Sequence, residues 1–225
     1  NFNNYFGVKM NKTIQKIVDQ MRLEGKDYTN YNLLLDYIKQ SETNIKKDDF
    51  RDFLVRDFKL QVQTTSDELS KLIASFLYKK HFDSAIDICC GIGNILSHLK
   101  GQISDISGIE IDTDIAGLAS FFNPGIEIIN ANTFNYNFSK KYDLVLGNVP
   151  WAMPVEYKGK KMKSEEAFIR KAFEICSESG EIIIVVPYSF LYGNLYKKIR
   201  DELSSNIKSI IGLPQGIMNY SSIKT

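Results

Sequence analysis

Residues 87–96 read DICCGIGNIL, and this stretch decides the fold. Asp87 ends an apolar run that is typical of a buried strand, and Gly91 and Gly93 follow where a helix is expected to begin. Glycines let the backbone of such a turn approach a ligand closely, and the first N–H groups of the helix offer it hydrogen-bond donors. The stretch therefore predicts a strand, a turn and a helix with a ligand site where the strand ends.

The sequence around this unit alternates between two hydrophobic periods. Short runs rich in Ile and Val predict strands, and they are SAIDICC (84–90), DISGIEI (105–111), GIEIIN (125–130), YDLVLG (142–147), GEIIIVVP (180–187) and IKSIIGLP (207–214). Segments of helical character lie between them at 94–100, 112–121, 164–178 and 193–204. This alternation predicts a doubly wound α/β fold whose mostly parallel sheet is covered on both faces.

The amino-terminal part of the chain has a helical period only. It carries IQKIVDQMRLE (14–24), YNLLLDYIKQ (31–40) and FRDFLVRDFKL (50–60). We predict a small helical domain over residues 1–62 and an α/β domain over 63–225; a helical layer packed on the main core is an equal alternative. Residues 65–68 match the T-x-x-E capping box, which predicts that a helix starts at Thr65.

Composition excludes several classes of protein. The chain of 225 residues has a formal net charge of +1, so no overall basic field indicates a nucleic-acid partner. No apolar run reaches the ~18 residues of a membrane span, and no secretion signal is found, so we expect a cytoplasmic protein without a membrane partner. Its three cysteines are too few for a disulfide framework or a zinc site, and we expect no metal.

The residues of the glycine turn indicate what the ligand is. Asp87 stands four residues before Gly91, and Leu96 holds the place of the third glycine in the dinucleotide fingerprint. An acid with two glycines suits a ligand that has a cationic amino group and no pyrophosphate, and S-adenosylmethionine is such a ligand. We assign Asn94, which begins the helix, to the same cofactor site.

Two further strand ends add to this site. Glu110 ends the second predicted strand 19 residues after Gly91, where an acid can accept both hydroxyl groups of a ribose. Taken alone, Glu110 has the alternative of a surface acid at a strand end. We place Ile111, the next residue, in the cofactor site too, and Asn132, after the third strand, where its amide can bind the edge of an adenine.

The fourth predicted strand ends in a motif that resembles a known family. Asn148, Val149, Pro150 and Trp151 resemble the (N/D)-P-P-(Y/F/W) motif of amino methyltransferases, above all the adenine-N6 DNA methyltransferases. The resemblance implies that the Asn148 side chain and the next carbonyl accept the hydrogens of the amino group that is methylated. It implies that Trp151 stacks on an extruded base. The alternative is a strand-end turn with a buried tryptophan.

Val149 departs from the usual proline of this motif. A small aliphatic residue at that place is also found in the ribosomal RNA adenine dimethyltransferases, which carry N-(I/L)-P-(Y/F). The motif therefore indicates adenine N6 chemistry better than it indicates DNA.

The carboxyl-terminal sequence resembles the modification subunits of type I restriction-modification systems. The resemblance rests on Phe168 and Ile169, 180–187, 200–203, Leu213 and Pro214, and on Thr65 and Ser66 at the start of a T-P-x-x-(I/V) helix. It implies a methyltransferase that acts on N6 of a flipped adenine in duplex DNA, with Thr65 at the cofactor and with specificity and restriction subunits as partners. The chain stops at SSIKT, where relatives continue, so we expect it to lack the final strands of the domain.

Two alternatives to this function stay open. Val149 is compatible with an RNA adenine-N6 methyltransferase. Val149 and the early stop are also compatible with a subunit that binds the cofactor without catalysis. The four lysines of YKGKKMKSEE (157–166) can contact phosphates or belong to a solvated loop. His81 and His98 are isolated from any nucleophile or ligand partner, and we assign them no function.

Overall fold

The computed structural model describes residues 12–41, 45, 50, 53, 65–77, 81–214 and 217. The chain separates into two compact units, Asn1–Thr64 and Thr65–Thr225. The predicted boundary at residues 62 and 63, and most of the predicted helical segment 50–60, lie outside the described residues. The division into a helical domain over residues 1–62 and an α/β domain over 63–225 remains a prediction.

Residues 12–41 of the first unit form two amphipathic helices, α1 (Lys12–Leu23) and α2 (Tyr31–Gln40). Helix α1 buries Ile14, Ile17, Val18 and Met21, which recur at the i, i+3, i+4 and i+7 positions of one helix face. Helix α2 begins after Asn30, whose side chain accepts a hydrogen bond from the Leu33 N–H at 3.1 Å. The helical period of these two segments therefore reflects one buried stripe on each helix.

The second unit is built on a parallel sheet of five strands. They are β1 (Ser84–Asp87), β2 (Asp105–Glu110), β3 (Glu127–Asn130), β4 (Tyr142–Asn148) and β7 (Cys176–Val185), in the order β3-β2-β1-β4-β7. The strands β5 (Pro154–Tyr157) and β6 (Lys160–Lys163) form a separate antiparallel hairpin. The parallel sheet confirms the predicted fold class.

Helices cover both faces of this sheet. They are α3 (Asp67–Ser75), α4 (Asn94–Leu99), α5 (Thr113–Phe122), α6 (Ser164–Ile175), α7 (Ser189–Tyr192) and α8 (Lys197–Leu203), with a 3-10 turn at Asn194–Tyr196. Side chains of β1 alternate between two cores: Ala85 packs in the cluster of Leu69 and Leu96, whereas Ile86 packs in the cluster of Phe168. No helix in the described part of the chain is long and apolar enough to cross a membrane.

Three expectations for local structure are wrong. Residues 207–214 form no strand with any described residue, and Ile207, Ile210 and Ile211 are exposed; an apolar segment becomes a strand only when a neighbour takes its backbone hydrogen bonds. The helical segment predicted over 164–178 is too long: α6 ends at Ile175, and β7 begins at the next residue. The cap of α3 is Ser66, one residue later than predicted, and it accepts from the Leu69 N–H at 3.2 Å.

Candidate functional site

Polar residues that follow four neighbouring strands gather at the carboxyl edge of the sheet. Asp87 ends β1, Glu110 ends β2, and Asn148 ends β4, while Asn132 follows β3 by two residues. In the β1–β4 pairing Asp87 is opposite Leu146, two residues before Asn148. Because parallel strands end at one edge, the fold brings all these predicted site residues to the same side.

The glycine turn needs its two glycines for different reasons. Both have left-handed backbone, with φ of +55° at Gly91 and +77° at Gly93. A Cβ atom at Gly93 would lie 2.3 Å from the amide nitrogen of buried Asn123, whose amide donates to the Ile92 and Ala119 carbonyls. A Cβ at Gly91 would meet no atom within 4 Å. Gly93 is therefore required by packing, whereas Gly91 lies beside open space that a ligand can enter.

Two carboxylates lie next to this turn. Asp87 is 1% exposed and accepts the Cys89 N–H at 3.1 Å, and Glu110 accepts the Gly91 N–H at 3.1 Å and the Asp112 N–H at 2.9 Å. Burial, with a smaller contribution from Glu110, raises the pKa of Asp87 to about 7. Burial also raises the pKa of Glu110. Neither acid forms an ion pair with a described residue, so the pair suits a ligand that brings a positive charge and hydroxyl groups.

Ile111 and Asn132 extend the edge beyond Glu110. The Ile111 side chain is 66% exposed although its carbonyl is held by the Asn130 amide at 3.2 Å. The Asn132 side-chain oxygen accepts the Phe134 N–H at 2.9 Å, and its amide nitrogen bonds to no residue in the described ranges. This leaves an apolar surface and an amide donor, a combination that suits the face and the edge of an adenine.

The residues of the N-V-P-W loop, Asn148 to Trp151, differ in how their side chains are buried. Asn148 is half-buried, and Val149 is 1% exposed because it packs in the core cluster of Val145 and Phe168. Trp151 packs against both core clusters, and its indole N–H donates to the Val185 carbonyl at 3.4 Å. The Val149 side chain is therefore a core residue, and only its backbone is available to a substrate.

The residue after the loop, Ala152, has left-handed backbone, and side chains bond both its N–H and its carbonyl group. Ala152 has a φ of +59°; its N–H donates to Glu165 Oε1 at 2.8 Å, and its carbonyl accepts from Lys163 Nζ at 2.9 Å. Glu165 is fully buried and is also approached by the Ser164 hydroxyl at 3.4 Å. Burial and the negative charge of Glu165 raise the pKa of Tyr196 to about 12.

Sequence reasoning missed Glu165 as a site residue. An acidic residue at the start of α6 is also what a free helix amino terminus favours, so the type of residue was uninformative. Its complete burial is the property that distinguishes it, and burial follows from the tertiary fold.

Thr65 connects the two parts of the edge. Its hydroxyl oxygen accepts a hydrogen bond from Asn148 Nδ2 at 3.1 Å, and its carbonyl accepts one from Asn94 Nδ2 at 2.7 Å. Asn94 is 4% exposed and is the first residue of α4, directly after Gly93. The structure therefore joins three predicted site residues in one chain of hydrogen bonds.

Smaller expectations have mixed outcomes. Residues 157–166 are not a solvated loop: Lys158 and Gly159, with φ of +50° and +72°, form the turn of the β5–β6 hairpin, and Lys158 pairs with Glu174 at 2.7 Å. His98 Nε2 lies 2.6 Å from Asp67 Oδ1, so this histidine connects α4 to α3. No cluster of His, Cys, Asp or Glu that could hold a metal occurs among the described residues.

Comparison with known proteins gives a family and a fold. The family model described as Methyltransferase small domain matches residues 61–206. No curated protein matches the chain. A solved structure named as a class I S-adenosylmethionine-dependent methyltransferase from Listeria monocytogenes is similar, with a TM-score of 0.66 and 18% identity over 94% of this chain and 76% of that one.

Two similar structures are named as subunits of type I restriction systems. A modification subunit from Vibrio vulnificus has a TM-score of 0.56 and 14% identity over 76% of this chain, and a methyltransferase subunit from Streptococcus thermophilus has 0.53 and 19% over 70%. The chain covers 46% and 42% of these two proteins, which is less than half of each. The buried acids, the glycine turn and the family together identify S-adenosylmethionine as the cofactor.

Proposed function

Because the chain belongs to the methyltransferase small domain family, we propose that it transfers a methyl group from S-adenosylmethionine to N6 of a flipped adenine in duplex DNA. The observation that carries this proposal is the path of hydrogen bonds from Asn94 through Thr65 to Asn148. It links the glycine turn to the motif that resembles those of adenine-N6 methyltransferases. A strand-end turn without catalytic use has no need for such a link.

On the cofactor side, each residue matches one part of the ligand. The Asp87 carboxylate lies where it can receive the ammonium group, and Glu110 keeps a second lone pair on each oxygen for the ribose hydroxyls. The exposed Ile111 side chain covers the adenine face, and the amide nitrogen of Asn132 donates to its edge. The bound cofactor supplies an activated methyl group on a sulfonium, and these residues hold and orient it.

On the substrate side, the loop supplies hydrogen-bond acceptors. An exocyclic amino group is a poor nucleophile because its lone pair is delocalised into the ring. Asn148 Oδ1 and the Val149 carbonyl accept the two amino hydrogens and favour a tetrahedral nitrogen as positive charge develops on it. Trp151 provides an aromatic surface for the extruded base, worth roughly 1–3 kcal/mol per base. Positioning accounts for the rest of the rate. The bond from the methyl group to sulfur breaks as the bond to nitrogen forms, and the cationic nitrogen then loses its proton to water, so no general base is needed.

We further propose that the chain acts in the cytoplasm within a restriction-modification system. The modification subunits from Vibrio vulnificus and Streptococcus thermophilus support this assignment through their fold. Recognition of the DNA sequence is then provided by a specificity subunit, and a restriction subunit is a further partner. The second candidate is an RNA adenine-N6 methyltransferase, because the ribosomal RNA adenine dimethyltransferases also carry a small aliphatic residue at the place of Val149.

Methyl transfer from tritiated S-adenosylmethionine tests the proposal. The purified chain is incubated with unmethylated genomic DNA and, separately, with unmethylated ribosomal RNA, and the nucleosides are analysed for N6-methyladenine. We expect label in DNA, and none with the Asn148→Ala variant. Label in RNA alone would favour the second candidate. Tight cofactor binding without transfer to either, even with a specificity partner present, would indicate a non-catalytic subunit.

A further inference from the structure

We propose that Thr65 is a positioning residue whose hydroxyl holds the side-chain amide of Asn148 at a fixed place relative to the glycine turn. The proposal rests on the proposed function, and it assigns the Thr65 hydroxyl to Asn148 in place of the cofactor contact that the resemblance implies. Three observations carry it: the Thr65 hydroxyl does not cap helix α3, it accepts a hydrogen bond from the Asn148 amide, and the Thr65 carbonyl is bonded to Asn94 after the glycine turn.

The Thr65 hydroxyl is available to bond Asn148 because the next residue, Ser66, caps helix α3. The Ser66 hydroxyl accepts the Leu69 N–H at 3.2 Å and donates to the Ile217 carbonyl at 3.2 Å. Ser66 is 2% exposed, so the start of α3 is fixed in the core. The residue before the cap is thereby held at a defined place, and its side chain points to Asn148 instead of to the helix.

The hydrogen bond to Thr65 restrains the Asn148 amide, whose terminal torsion is otherwise broad and roughly two-fold. Nδ2 donates to Thr65 Oγ1 at 3.1 Å, and Oδ1 accepts no hydrogen bond from the described residues, so Oδ1 is available as an acceptor. A hydroxyl can also donate to an amide oxygen, so the bond fixes the place of the amide, and the amino group of the substrate, which needs an acceptor, favours this orientation.

The same residue is tied to the cofactor turn through its backbone. Asn94 Nδ2 donates to the Thr65 carbonyl at 2.7 Å, and Asn94 is buried directly after Gly93. Thr65 therefore places Asn148 relative to the glycine turn, and the distance between methyl donor and acceptor depends on it. A small misplacement of reacting groups can reduce the rate roughly 100-fold.

Two threonine variants separate positioning from cofactor binding. Thr65→Val keeps the shape of the side chain and removes the hydroxyl, whereas Thr65→Ser keeps the hydroxyl. We expect Thr65→Val to lower kcat roughly 100-fold, with the Kd for S-adenosylmethionine unchanged by isothermal titration, and Thr65→Ser to retain most of kcat. Thr29→Val, in the amino-terminal unit, controls for the exchange of threonine for valine. A raised Kd with kcat retained would assign Thr65 to the cofactor and overturn the proposal.

A spectroscopic arm decides the question without any turnover. The side-chain NH2 resonances of Asn148 are identified by their loss in Asn148→Asp, in ¹⁵N-labelled protein. We expect them to shift and to exchange faster with water in Thr65→Val, and to stay in place in Thr65→Ser. Unchanged resonances in Thr65→Val would overturn the proposal. Absence of methyl transfer by the unmodified chain would contradict the proposed function, and the amide resonances would still decide the role of Thr65.

Discussion

The glycine turn with its two acids and the N-V-P-W loop lie at the same sheet edge but are held in different ways. The turn is fixed by bonds between neighbouring strand ends, such as the Gly91 N–H to Glu110. The loop is fixed by residues from other elements: Thr65, 83 residues before Asn148, and Glu165, which lies in the first turn of α6, 13 residues after Ala152. The cofactor part of the site is therefore held mainly by neighbouring strand ends, with Asn94 also bonded to Thr65, whereas the loop of the substrate part depends on contacts that are distant in sequence.

The largest effect is expected from a methyl group added to the glycine turn. Gly93→Ala places a Cβ 2.3 Å from Asn123 Nδ2 at a φ of +77°. Overpacking and the left-handed backbone together should lower the free energy of unfolding by roughly 2–4 kcal/mol.

Gly91→Ala is the matched control, because it adds the same group at a similar φ in open space and should cost about 1–2 kcal/mol. Urea unfolding followed by circular dichroism measures both. Equal losses would mean that packing against Asn123 does not distinguish the two glycines.

The next effect concerns the buried carboxylate behind the loop. Glu165→Leu leaves the Ala152 N–H without its acceptor and should lower the free energy of unfolding by roughly 1–3 kcal/mol. The loop then loses its fixed turn, so we expect kcat to fall roughly 100-fold while cofactor binding is retained.

Glu165→Gln keeps an acceptor oxygen and should behave more mildly, and Glu166→Gln, on the next residue, should change little. Isothermal titration and methyl-transfer kinetics measure these variants. Loss of cofactor binding in Glu165→Leu would contradict the separation of the two parts of the site.

The third prediction sets the pH dependence of cofactor binding. Asp87 holds a proton below its pKa of about 7, and a neutral carboxyl group attracts an ammonium group weakly. Affinity should therefore rise as the pH rises toward about 7, by up to about tenfold per unit, and then level off.

Titrations with the cofactor at several pH values test this dependence. We expect Asp87→Asn to bind weakly, with an affinity that does not change with pH. Asp114→Asn, on an exposed helix position, is the control. Since the folded-state pKa lies above 3.8, the same proton stabilises the folded state at low pH. That stability is lost as the pH rises from about 4 to about 7. A flat binding profile for the unmodified chain would remove Asp87 from the ammonium site.

The smallest effect is expected on the outside of the hairpin. Lys158 is 68% exposed and pairs with Glu174, whose pKa is lowered to about 2, first by Lys158 and then by Tyr157. An exposed pair contributes at most about 1 kcal/mol, so Lys158→Met should change thermal unfolding little and methyl transfer not at all.

Glu174 stabilises the folded state above pH 4.5, and this stability is lost as the pH falls toward about 2. Unfolding at neutral and acidic pH measures both effects. A large loss of activity in Lys158→Met would show that the hairpin belongs to the substrate part of the site.

The difference between the two parts also explains what could be predicted from sequence. The sequence places Asp87 and Gly91 at the first strand end and Glu110 at the second. Because parallel strands end at the same edge of the sheet, these residues are expected to meet there. The contact of Thr65 with Asn148 was not predictable, because the capping box suggested that Thr65 serves its own helix. The hairpin was missed because its second strand is rich in lysine, and the two-residue turn at Lys158 and Gly159 therefore looks like part of a polar loop. Residues 207–214 have the composition of a strand, but composition does not provide a pairing partner.

The burial of the Val149 side chain has a consequence for the sequence patterns that are used to identify methyltransferases with this motif. Its side chain fills the core between Val145 and Phe168, so the second place of the motif is constrained by the volume and polarity of that core and not by the substrate. A search pattern that demands proline there would overlook this chain. A pattern that accepts any small apolar residue, and requires a threonine before a capped helix far upstream, describes the geometry better.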